Sequence, residues 1–303
     1  MMMPDLGVTR ENTVFVSGIG CAARFPYYMN TYGMHSIHGR SPAIATGLAT
    51  ARPDLDIWVV GGDGDMLSIG GNHLIHALRR NVNIKILMFN NMIYGLTKGQ
   101  YSPTSEVGKI TKSSPFGSVD APFNPISLAL GAGASFVART HDMDRKHMTK
   151  VLRQAHEHDG SVFVEILQNC NVFNDGAWDK ITKRANRDAN LIDLSHGDPI
   201  QFGADNEFGV VVENAEAKVV NVADVGVDAL LVHDEHREEP GLAFLLSRLS
   251  NRPVSPTPVG VFRSVNQPEY SAGVARQLVD AQAQNGPGDL AAMLRSAGTW
   301  TVD

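Results

Sequence analysis

Two apolar runs fix the architecture of this 303-residue chain more tightly than any other feature. Residues 57–60 (IWVV) end in Gly61-Gly62-Asp63-Gly64-Asp65, and residues 84–89 (IKILMF) end in Asn90-Asn91. Between them, residues 72–80 (NHLIHALRR) place apolar side chains at helical spacing. Two buried strands joined by a crossover helix form a parallel pair, so both carboxyl ends face one crevice. Glycines there let the backbone approach a phosphate, and the N–H groups of the following helix can receive the anion.

The same alternation extends on either side. Residues 41–51 read as a helix, 125–134 and 143–158 as helices around a strand at 135–138, and 161–167 (SVFVEIL) as another buried strand. The fold class is therefore α/β, a parallel sheet with helices on both faces. Beyond residue 171 the periodicity weakens, which predicts a main domain over 1–177 and a smaller extension over 178–303. That extension carries an acidic patch at 234–239, an amphipathic segment at 241–249 and the Pro-rich run 250–260. Packing on a partner subunit is its expected use, and the end from residue 282 reads as partly disordered.

Composition removes several classes. At 43% hydrophobic and 19% charged residues, the chain has ample apolar content for a large core. A formal charge of -6 and a pI near 6.0 give no basic footprint for nucleic acid or an anionic membrane. No run reaches the roughly 20 apolar residues of a membrane span, and MMMPDLGVTRENT lacks a signal-peptide core, so a cytoplasmic home is expected. Neither a G-x-G-x-x-G opening a helix nor a P-loop is found. The two cysteines, Cys21 and Cys170, read as buried thiols or as metal ligands.

Asp63 can supply a carboxylate, Asn91 an amide oxygen and Ile93 a backbone carbonyl. With two diphosphate oxygens these make the oxygen-only shell that Mg²⁺ prefers. A lone GDG is weak evidence, but the strand-GDG-helix-strand-NN order resembles the diphosphate-binding motif of thiamine-diphosphate enzymes.

The surrounding segments are more specific. SGIGCAARFPYYMNTYGMHSIHGRSPAIATGL (17–48), GGDGDMLSIGGNHLIHALRRNVNI (61–84) and NNMIYGLTKGQYSPTS (90–105) resemble the β subunit of 2-oxoacid:ferredoxin oxidoreductases, most of all the 2-oxoglutarate type. The resemblance spans about residues 6–270. It implies coenzyme-A-dependent oxidative decarboxylation of a 2-oxoacid to acyl-CoA and CO₂, with ferredoxin as electron acceptor. It also implies that Asp63, Asn91 and Ile93 hold Mg²⁺, and that Gly62, Gly64, Asp65, Leu67, Tyr94, Leu96 and Thr97 lie around the cofactor. His38 and Gly39 would contact the diphosphate from its other side, beside Ile19 and Gly20. Arg24 would pair with the substrate carboxylate, against the alternative of an ordinary salt bridge.

In this family a 4Fe-4S cluster takes four cysteines, two of them from an N-terminal Cys-x-x-Cys. Cys21 and Cys170 match the other two, so the resemblance implies an incomplete ligand set and suggests that the start is misplaced or truncated. The glutamate that activates the cofactor has no candidate here and would come from an obligatory α subunit. A non-oxidative thiamine-diphosphate lyase and an inactive scaffold subunit are the alternatives, and pyruvate competes with 2-oxoglutarate as substrate. His73 and His76, three apart on a helix, read as packing residues, and His233 and His236 as part of a solvated face.

Overall fold

The computed structural model describes residues 2–249 and 256–302. Its strands are β1 Thr13–Ser17, β2 Tyr32–His35, β3 Asp56–Gly62, β4 Lys85–Asn90, β5 Phe136–His141, β6 Val162–Leu167, β7 Leu191–Leu194, β8 Gln201–Phe202, β9 Phe208–Glu213, β10 Glu216–Asn221 and β11 Thr257–Ser264. Eight form one sheet in the order β2-β1-β3-β4-β6-β5-β11-β7. Every pairing in it is parallel except β11 against β5. Strands β8 to β10 make a small antiparallel sheet.

The interior strands read as unbroken apolar runs because both of their faces are covered. Successive residues nevertheless serve opposite faces. Val16, Val59 and Ile86 join one buried cluster, whereas Phe15, Trp58 and Leu87 join the other. Each such side chain contributes about 1.5–3 kcal/mol by leaving water. Helices Ser41–Ala51 and Gly71–Arg79 bring Ala45, Ala49, Leu74, Ala77 and Leu78 to the first cluster.

This topology positions the site. The chain leaving β1 goes to the sheet edge at β2, whereas the chain leaving β3 goes the other way to β4. Loops that part in opposite directions open a crevice at the carboxyl ends of β1 and β3.

Several local expectations differ from the structure. The strand expected at 135–138 runs Phe136–His141, because Arg139 and His141 are polar yet buried within the sheet. Strands β1 and β2 are short, and β2 is exposed along its length. The segment 178–303 returns β7 and β11 to the main sheet. Its end is helical at Tyr270–Asn285 and Leu290–Arg295, where Glu269 and Asp289 cap the first turns. His233 is buried with its Nε2 2.7 Å from the Val261 carbonyl, while His236 is exposed. Residues 250–255, most of the Pro-rich run, lie outside the described residues. No helix among the described residues is long and apolar enough to cross a membrane.

Candidate functional site

The glycine-rich turn after β3 becomes the short helix Asp63–Leu67, all five residues of which are buried. Its two carboxylates differ in surroundings. Asp63 Oδ2 accepts a hydrogen bond from Thr104 Oγ1 at 2.6 Å, and burial pushes its pKa above the ordinary carboxylate value. Among the described residues no cation pairs with it. A desolvated carboxylate without a counter-charge is costly, and a bound divalent cation would remove that cost.

Asp65 ties three loops together. Its Oδ1 accepts from Gly39 N at 2.8 Å and from Ile19 N at 3.3 Å, with His38 Nδ1 at 3.8 Å. Its Oδ2 is buried with no hydrogen-bond partner. Burial raises this pKa too, opposed by the two backbone donors.

The loop after β4 faces them. Met92 adopts a left-handed φ of 54°, a strained conformation for a residue with a side chain. Around this turn Asn91 Oδ1 accepts from Ile93 N at 3.3 Å. Tyr94 then crosses the cleft and donates its hydroxyl to Gly64 O at 3.1 Å.

These elements enclose one cleft, lined by Ile19, Gly20, Cys21, His38, Gly62, Asp63, Gly64, Asp65, Asn91, Ile93, Tyr94, Leu96 and Thr97. Ala22, Phe89, Gly95 and Gln168 complete it. Of the other sequence-derived candidates, Gly39 meets the cleft through Asp65. Leu67 does not line it, because its side chain packs into the buried cluster with Met66 and Leu74. Arg24 ends the single turn Ala22–Arg24 after Cys21 and is exposed outside the lining, without an ion-pair partner among the described residues.

Cys21 is exposed, Cys170 is part-buried, and both are free thiols. A methyl group placed on Gly95 would lie 3.5 Å from one sulfur and 3.7 Å from the other, so the two face the same spot. No group of three or more His, Cys, Asp or Glu residues arranged to hold a metal occurs among the described residues.

Two contributors were not among the site candidates read from the sequence. Thr104 reaches Asp63 from a loop far along the chain. Asn174 donates its side-chain amide to Asn91 O at 3.0 Å and its backbone N–H to Cys170 O at 3.0 Å, joining the cysteine loop to the Asn91 turn. Lys109 Nζ donates to Asn174 Oδ1 at 2.6 Å and holds it there.

Residues 18–166 match the family model described as thiamine pyrophosphate enzyme, C-terminal TPP binding domain. The 2-oxoglutarate oxidoreductase subunit KorB of Mycobacterium tuberculosis is 57% identical over 303 residues, covering 99% of this chain and 81% of the relative. The 2-oxoacid:ferredoxin oxidoreductase subunit beta of a Sulfolobus species is 44% identical over 56% of this chain. The match takes in only 57% of that subunit's own length. A solved 2-oxoglutarate:ferredoxin oxidoreductase from Magnetococcus marinus, with 2-oxoglutarate, coenzyme A and succinyl-CoA bound, is 32% identical with a TM-score of 0.74. That match covers 99% of this chain and 87% of the other. The mostly parallel sheet, the GDG–NN cleft and this likeness along nearly the whole chain together show that the protein belongs to the β subunits of the 2-oxoacid:ferredoxin oxidoreductases.

Proposed function

We propose that this chain is the cofactor-binding β subunit of a cytoplasmic 2-oxoglutarate:ferredoxin oxidoreductase. The reaction takes 2-oxoglutarate and coenzyme A to succinyl-CoA and CO₂, with the electrons passing singly to ferredoxin. The observation that carries this reading is the buried Asp63 carboxylate, without a pairing cation among the described residues and facing the same cleft as Asn91.

The residues present fit the cofactor. Asp63, Asn91 and the Ile93 carbonyl would hold Mg²⁺, an oxygen-only donor set suited to that ion. The unpartnered Oδ2 of Asp65 is an acceptor in want of a donor. Gly62, Gly64, His38, Gly39, Tyr94, Leu96 and Thr97 would surround the diphosphate or thiazolium, with Leu67 packed in the core beside them. When bound, thiamine diphosphate supplies the carbanion nucleophile and the electron sink for decarboxylation. Arg24, with no ion-pair partner among the described residues, would orient a carboxylate of the 2-oxoacid. Cys21 and Cys170 would close two corners of a 4Fe-4S cluster beside Gly95, next to the cofactor cleft.

An α subunit is an obligate part of this proposal, as the source of the activating glutamate and the coenzyme A contacts. The test is 2-oxoglutarate-dependent dye reduction by the purified chain alone and after assembly with its partner. Activity only in the assembly is expected. Turnover by the chain alone would overturn the proposal and favour a self-contained lyase.

A further inference from the structure

Behind the Asp63–Asn91 pair runs a chain of side-chain hydrogen bonds that the cofactor reading does not use. Arg139 Nε donates to Glu165 Oε2 at 2.7 Å, and Asn90 Nδ2 donates to Glu165 Oε1 at 2.7 Å. Asn90 Oδ1 then accepts from Met92 N at 3.2 Å and lies 2.9 Å from Thr104 Oγ1. The same Thr104 hydroxyl lies 2.6 Å from Asp63 Oδ2, so its single proton is shared between these two acceptors. Arg139, Glu165, Asn90 and Thr104 are 4%, 1%, 2% and 6% exposed. The relay connects a buried ion pair in the sheet to the carboxylate and to the strained Met92 turn that presents Asn91.

We infer that Glu165 is a positioning residue for the cation site: through Asn90 and Thr104 it sets the geometry of Asp63 and of the Asn91 turn. The inference rests on the cation site proposed above.

Chemistry gives the relay a fixed direction. A carboxylate only accepts and a guanidinium only donates, so Glu165 compels Asn90 to point its NH₂ group inward and its oxygen toward Met92 and Thr104. Were Asn90 reversed, its NH₂ would confront the Met92 N–H, donor against donor. Arg139 is held further by the Phe262 ring beneath its guanidinium and by the Pro258 carbonyl, to which it donates at 3.2 Å. All four side chains line a second cavity of about 570 Å³.

Sheet register places the parts. Glu165 stands opposite Arg139 on β5 and opposite Met88 on β4, two residues before Asn90. A buried ion pair is no more favourable for folding than a well-packed apolar pair, so stability alone does not account for a carboxylate here. The directional constraint on Asn90 does.

The test uses the chain assembled with its partner subunit and measures the Mg²⁺ concentration that half-saturates thiamine diphosphate binding. Calorimetric binding and turnover at saturating cofactor are recorded separately. Glu165→Gln can accept at one end only, so it should raise the half-saturating Mg²⁺ on the order of tenfold. Thr104→Val should do likewise, and Thr104→Ser, which keeps the hydroxyl, should stay near wild type. Because both act on one relay, the double variant should lose little more than the worse single one.

Unchanged Mg²⁺ dependence in a folded Glu165→Gln protein, or losses that multiply in the double variant, would overturn the inference. If Glu165→Gln does not fold, the Thr104 pair decides: Val equal to Ser overturns it. A wild-type enzyme without Mg²⁺-dependent binding would instead sink the cation site itself.

Discussion

Cys21, on the loop after β1, and Cys170, on the loop after β6, turn their sulfurs toward one point above Gly95. Gly95 belongs to the loop after β4 that also carries Asn91, so the thiols stand beside the proposed cation site and not on a remote surface. In an assembly that supplies two further thiolates to complete the cluster, replacing either cysteine by serine should remove most of the iron and the low-temperature paramagnetic signal of the reduced protein. Thiamine diphosphate affinity should be nearly unchanged. Full iron content in either variant would show that the cluster is held elsewhere.

Gly64 offers a sharper steric test. A Cβ there would sit 2.2 Å from Tyr94 Cε1, far inside contact distance, so Gly64→Ala must displace the tyrosine that closes the cleft. Its hydroxyl bond to Gly64 O would go with it. Cofactor affinity measured by calorimetry should fall on the order of tenfold with little change in fold content. Wild-type affinity would mean that Tyr94 does not shape the cofactor site.

The Asn174 bridge makes a third expectation. Removing its amide by Asn174→Ala takes this donor from the Asn91 carbonyl and leaves Lys109 with its Glu106 ion pair alone. Cofactor binding and cluster retention should both weaken, each by several-fold, whereas Cys170→Ser touches only the cluster. Loss of one without the other would show that the two loops are not coupled through this residue.

Stability should depend on acid in a predictable direction. Burial, helped by the nearby Lys85 charge, lowers the His158 pKa from 6.5 to about 4. Between those values the unfolded chain takes up a proton that the folded chain refuses. Stability should therefore hold above pH 6.5 and decline as the pH falls toward 4. Lys85, lowered by burial from 10.5 to about 8, works in the same sense at higher pH, where stability rises between 8 and 10.5. The melting temperature of wild type should drop by a few degrees over the acid window. His158→Gln, which keeps a partner for Ser135, should show a flatter profile there. Equal slopes would contradict the assignment.

How much of this was legible in the sequence depends on where each group lies. Asp63 and Asn91 could be found because each closes an apolar run, and Asp65 and Tyr94 because they sit within a few residues of them. Thr104 and Asn174 reach the site from loops of no periodicity; Thr104 lies in the 90–105 segment that carries the resemblance, but its residue type alone does not single it out. Glu165 had a signal that periodicity alone passes over: a lone charge in VFVEIL, a buried strand, demands a partner. The parallel core of the fold was equally plain, because unbroken apolar runs flanked by helices leave few alternatives. Strand β2 was not, since its exposed residues YGMH show no burial pattern. Strands β7 and β11 lie in the segment where periodicity fades, and only tertiary pairing places them in the main sheet.

The most direct measurement is succinyl-CoA and CO₂ formation from 2-oxoglutarate, coenzyme A and oxidised ferredoxin by the assembled enzyme. It should be run with and without thiamine diphosphate and Mg²⁺, for wild type and Asp63→Ala. Wild type should turn over only with both present, and Asp63→Ala should lose at least about a hundredfold in rate together with its metal-dependent cofactor binding. Metal-dependent binding and turnover that survive in Asp63→Ala would contradict the account at its centre.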